Sequence, residues 1–150
     1  VHMPSDLDAR GQMLAAAAMG ATAFQKGLGG MHALAHPIGA LYDTHHGMTN
    51  ATLMPYVLKF NRPAIEERIT RLAAYLHLPS PGFDSFMAFV LKLRKDIAVP
   101  HTLFELGVDD KQAELIADMA VVDPSASGNP LPLTKAGVTD IFHAAYHGRL

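Results

Sequence analysis

Apolar residues recur along this chain about every 3.6 positions, and alternating runs rich in β-branched residues are absent. The pattern predicts helices from end to end and no sheet. Ser5 or Asp6 can cap a first helix running to about Lys26, with Leu7, Met13, Leu14, Ala17 and Ala21 turned inward. Its alanines favour helix and allow close helix contact. Glycines at 27, 29 and 30 loosen the chain before a second helix that carries His32 and His36. Pro37 lacks an N–H and predicts a kink or a restart there. A third helix follows His46 and ends near Phe60-Asn61. Arg62-Pro63 opens a fourth, Pro63 to Leu76, because proline suits a first-turn position. Pro79-Ser80-Pro81-Gly82 is a turn. Phe83 to Ile97 forms a fifth helix, apolar at Phe86, Met87, Val90, Leu91 and Leu93, stopped by Val99-Pro100. Thr102 to Leu106 makes one short turn. Asp109 or Asp110 caps a helix through about Val122, and Asp123 to Pro132 is a loop. Thr134 caps a last helix to Tyr146, with Gly148 just beyond its end. The fold class is all-α, a bundle of about six to seven helices.

Composition narrows the function. The chain has 150 residues with 49% hydrophobic content, which suits one domain with its own core. The formal net charge is −2 and no Lys/Arg block stands out, which argues against nucleic-acid and anionic-membrane partners. There is no cysteine, hence no disulfide framework and no thiolate metal site. The longest mainly apolar run, Met13 to Phe24, falls short of the roughly 20 residues that cross a bilayer. No basic segment precedes it, so it is not a signal peptide, and a cytoplasmic location is expected. The chain opens at Val1 rather than at methionine, which fits a fragment of something longer.

The histidines carry the candidate chemistry. His32 and His36 sit four apart and share a helix face. His46 follows His32 at a distance that one straight helix would stretch to about 21 Å, too long for a shared metal ion. The chain must therefore break between them, and Asp43, Thr44 and Gly47 are suitable break residues. Two histidines on one helix and a third at the start of the next make half of a metal site, since histidine is the commonest ligand. The plain alternative is a packing histidine at 32 and a helix cap at 46. Each ligand needs an orienting partner, for which Asp43 or a backbone carbonyl is the expectation. His45 points away into solvent. His143 and His147 repeat the i, i+4 spacing but have no third ligand nearby and read as a solvated helix end. Gly27-Leu28-Gly29-Gly30 is no dinucleotide fingerprint, because no strand precedes it and the third glycine is misplaced. Neither His-Glu-x-x-His nor Glu-x-x-His occurs, so zinc-protease and di-iron carboxylate sites lack support.

The run His32-Ala33-Leu34-Ala35-His36-Pro37-Ile38-Gly39-Ala40, then His46-Gly47 at fixed spacing and an apolar helix reaching Pro55-Tyr56, resembles the iron-containing (group III) alcohol dehydrogenases. Asp6-Leu7-Asp8-Ala9-Arg10, Asp123-Pro124-Ser125 with Asn129-Pro130, and Ile141 to Gly148 extend the likeness over nearly the whole chain. The resemblance implies the helical, dehydroquinate synthase-like C-terminal domain of a two-domain enzyme, spanning residues 1–150. It implies His32 and His46 as metal ligands and His36 as a histidine beside the metal that relays the alcohol proton. It implies iron(II), with zinc(II) also suited to such ligands, and NAD or NADP held by an N-terminal nucleotide-binding domain. A small alcohol or aldehyde substrate and a homo-oligomeric full-length enzyme follow from the same likeness. In that family an aspartate and a first histidine come from an upstream Asp-x-x-x-His helix, and no such pattern precedes His32. The chain alone is therefore expected to be half a metal site without a cofactor site, and inactive. The rival expectation is a free-standing, non-enzymatic helical module that binds a metal or a partner through His32, His36 and His46. A relative acting on a polyol or hydroxy acid is a third.

Overall fold

A computed structural model describes residues 3–150 and contains, among them, six α-helices, two 3₁₀ turns and no strand. Helix α1 spans Leu7–Ala23, α2 Gly30–Tyr42, α3 His46–Tyr75, α4 Phe83–Asp96, α5 Ala113–Val121 and α6 Lys135–His147. The 3₁₀ turns are Phe24–Lys26 and Pro124–Gly128. No helix among the described residues is long and apolar enough to cross a membrane.

The core forms where α2 meets α3, α5 and α6. Leu34 and Ile38 of α2, Leu53 and Val57 of α3, Ile116 of α5, and Val138, Ile141 and Phe142 of α6 are buried together. Large side chains of this kind each contribute roughly 1.5–3 kcal/mol on leaving water. A smaller cluster, Ala73, Phe86 and Val90, joins the far end of α3 to α4. Leu93, one of the apolar positions of α4, is 47% exposed.

Two elements depart from the sequence reading. The third and fourth predicted helices are one helix, α3, which passes through Pro55 and Pro63 without ending. A proline inside a helix costs about 3 kcal/mol. Contacts of the two residues before Pro63 brace the helix there. Asn61 is locked to Asn129 by two amide hydrogen bonds of 2.9 and 2.8 Å. Arg62 bridges Glu66 and Asp84 and lies 4.6 Å over the Phe83 ring. Pro37 likewise sits inside a continuous α2. The second departure is α1. Asp6 caps it by accepting the Ala9 N–H at 3.0 Å, yet no residue of α1 is buried. Leu7, Met13 and Leu14, expected inside with Ala17 and Ala21, are 79%, 69% and 73% exposed, and both alanines are exposed too. Its apolar residues surround the helix instead of forming one stripe, so no single face turns to the bundle.

Gln112, not Asp109 or Asp110, precedes α5. Asp109 instead accepts the Tyr42 hydroxyl at 2.8 Å and the Lys111 N–H at 3.0 Å, tying the end of α2 to the segment before α5. The loop after Asp123 contains the 3₁₀ turn Pro124–Gly128, with Asp123 as its cap.

Candidate metal centre

Three imidazoles gather where the start of α3 folds back against α2. The ring centroids of His32 and His46 are 5.2 Å apart, those of His36 and His46 5.4 Å, and those of His32 and His36 5.9 Å. The break that allows this falls at Asp43, Thr44 and His45. Asp43 adopts a left-handed conformation with φ 52° and sends its N–H to the Gly39 carbonyl, ending α2. His45 then caps α3, its Nδ1 accepting the Met48 N–H at 3.3 Å. The Thr49 hydroxyl donates to Thr44 Oγ1 at 2.8 Å and closes the corner. Gly47, expected to help the break, already lies inside α3.

His32 and His46 are joined by one side chain. Asn50, a helical turn beyond His46, donates from Nδ2 to His46 Nε2 at 3.0 Å and to His32 Nε2 at 3.2 Å. Both Nε2 atoms therefore face one point. Asn50 Oδ1 is buried and has no hydrogen-bond partner. Burial, then the adjacent His46 and His36, hold the His32 pKa below the ordinary imidazole value, while Asp123 opposes this more weakly. The neutral ring so favoured is the form that ligates metals.

His36 is held differently. Its Nδ1 lies 2.8 Å from Asp123 Oδ2, across 87 positions of sequence. Partial burial works against the Asp123 carboxylate. Its hydrogen bond from His36, together with the bonds from Ser125, outweighs that and keeps its pKa below the usual value. The Ser125 N–H contributes at 2.8 Å. The loop that carries Asp123 also anchors α2. Asn129 Oδ1 accepts the Gly30 N–H at 3.0 Å, satisfying a free donor at the helix start. The backbones approach so closely that a Cβ on Gly128 would stand 2.0 Å from the Leu28 carbonyl oxygen.

The structure thus brings His32, His36 and His46 together and leaves the other described histidines elsewhere. His45 serves as a cap. His143 and His147 stack on each other along α6, with His143 also edge-on to Phe142. Asp43, expected to orient a ligand, ends α2 instead; Asn50 and Asp123 are the polar partners. Asn50 was detectable as the i+4 neighbour of His46. Asp123 carried only its cap signature, Asp-Pro-Ser, with nothing local to link it to His36. Among the described residues no three His, Asp or Glu side chains are arranged to hold a metal ion. Two imidazole donors that converge fit half of a divalent site, which needs three or four. A cleft of 630 Å³ lies along α1 by Met13 and Leu14, away from this chemistry.

Residues 1–146 match the family described as Fe-containing alcohol dehydrogenase family, C-terminal. The chain is 33% identical to a 1,3-propanediol dehydrogenase of Citrobacter freundii over 97% of its own length and 40% of that protein. It is 34% identical to an NADPH-dependent butanol dehydrogenase of Clostridium saccharobutylicum, covering 95% of the chain and 39% of the relative. A crystal structure of 1,3-propanediol oxidoreductase superposes with a TM-score of 0.75 at 33% identity, over 79% of this chain and 33% of that one. The chain therefore spans about 40% of the length of these curated relatives. With its all-helical bundle and its histidine corner between α2 and α3, the chain belongs to the iron-containing alcohol dehydrogenase family and corresponds to its C-terminal region.

Proposed function

We propose that this chain is the metal-binding helical domain of a longer, cytoplasmic, NAD(P)-dependent alcohol dehydrogenase acting on small alcohols or aldehydes. The observation that carries the reading is that His32 Nε2 and His46 Nε2 turn to one shared partner, the Asn50 amide nitrogen, at 3.2 and 3.0 Å. When bound, a divalent iron or zinc ion supplies Lewis-acid polarisation of the alcohol oxygen and the nicotinamide accepts the hydride. His32 and His46 act as neutral nitrogen donors. His36 does not join them. Its Nδ1–H donates to Asp123, which leaves Nε2 free to receive the alcohol proton, and the carboxylate then stabilises the imidazolium. The remaining ligands and the cofactor site belong to the part of the enzyme outside these 150 residues. Helix α1 supports this reading, because Leu7, Met13, Leu14 and Met19 stand exposed on it and no described residue covers them.

The test is a set of variants in the longer enzyme. His32→Ala and His46→Ala each lose the metal and nearly all turnover. His36→Ala keeps most of the metal and lowers kcat by about 10²-fold. Metal content by elemental analysis beside steady-state rates separates the roles. Equal metal loss in the His36 and His32 variants would contradict the assignment of ligand and relay.

A further inference from the structure

We infer that Asn50 is a positioning residue of this centre, its side-chain amide fixing His32 and His46 in the tautomer that presents two Nε2 lone pairs to a cation. The inference rests on the metal reading above for its purpose, but not for its geometry. A neutral imidazole carries one N–H, so a ring that accepts at Nε2 holds its hydrogen on Nδ1. The Asn50 amide has two hydrogens, and Nδ2 stands 3.0 Å from one Nε2 and 3.2 Å from the other. One NH2 group thus fixes two tautomers and two ring directions at once. Asn50 lies on the same face of α3 as His46, one turn along, so its reach is set by a rigid element.

The other end of the amide argues the same way. Oδ1 is buried without a partner, an arrangement that ordinarily costs stability. Turning the amide over would bring Oδ1 to the two Nε2 atoms and demand a hydrogen on each, the tautomer that cannot ligate through Nε2. The orphaned oxygen is therefore the cost of holding both rings in the ligating tautomer, and a cation binds by displacing the amide hydrogens from the two lone pairs. His36 is set by a separate group, Asp123 at its Nδ1, so the proposed ligands and the proposed relay are positioned independently.

The experiment is long-range ¹H–¹⁵N spectroscopy of the histidine rings in the ¹⁵N-labelled 150-residue chain, with chelator, at about pH 8 where imidazoles are neutral. The expected spectrum shows His32 and His46 as Nδ1–H tautomers, and Asn50→Ala shifts both towards a mixture while leaving His36 unchanged. Nε2–H tautomers in the unsubstituted chain overturn the inference, as do tautomers that do not respond to Asn50→Ala. A second variant tests the same position from the ligand side. Asn50→Asp sets a carboxylate oxygen at the convergence point, so zinc(II) binding tightens by about tenfold or more over the unsubstituted chain. Unchanged affinity in a folded Asn50→Asp chain counts against the metal reading, while the tautomer spectrum alone decides the positioning. Correct tautomers in a chain in which no variant takes up zinc would uphold the positioning and overturn the metal reading instead.

Discussion

Asp123 reaches His36 from a loop far along the chain and accepts its Nδ1–H at 2.8 Å. An amide there accepts with one oxygen only and offers no charge to a protonated ring. Asp123→Asn in the longer enzyme is expected to lower kcat by about tenfold or more with metal content unchanged, measured by steady-state rates and elemental analysis. Tyr42 gives a second prediction. Burial, then the hydrogen bond to Asp109, raises its pKa to about 12. The folded chain therefore keeps this proton between about pH 10 and 12 while the unfolded chain loses it, so stability falls as pH rises through that window. In Tyr42→Phe this contribution is missing. The difference in melting temperature between the two proteins should be constant below pH 10 and shrink above it. At this scale the sequence was half legible. The spacing of His32, His36 and His46, and the break residues between them, marked the corner. Asn50 carried only its i+4 spacing from His46, and Asp123 no local link to His36, because it reaches that ring across the tertiary fold.

Among the elements, α3 and α1 carry the most information. Proline at 63 signals a helix start, but α3 runs through it, with Asn61 and Arg62 anchored just before it and the Arg62–Glu66 pair spanning it. The periodicity of α1 was read as a buried face, but no residue of it is buried. A single exposed helix of 17 residues is marginal in water. Hydrogen exchange followed by mass spectrometry should find α1 amides exchanging far faster than those of α2; equal protection would mean α1 packs on the bundle. The loop that carries Asp123 and Asn129 is constrained at Gly128, where an added Cβ meets the Leu28 carbonyl. Gly128→Ala forces one of two backbones to move and should destabilise the chain by about 1–3 kcal/mol in denaturant unfolding.

The whole molecule is a bundle whose histidine corner is braced by its core. Phe142 is fully buried between α6 and the rest, so Phe142→Ala should cost about 3–5 kcal/mol and expose the corner to local unfolding. The helical class and the course of the later helices were readable because apolar spacing persists through α4, α5 and α6. The exposed α1 was not, because periodicity tells what a helix can bury and not which chain segment covers it. The central claim is that His32 and His46 are two donors of one divalent site. It is tested most directly by titrating zinc(II) into the ¹⁵N-labelled chain and following the histidine side-chain resonances. His32 and His46 are expected to shift together, either single alanine variant to abolish the response, and His143→Ala to leave it intact. A response that survives His32→Ala, or one that vanishes in His143→Ala, would contradict it.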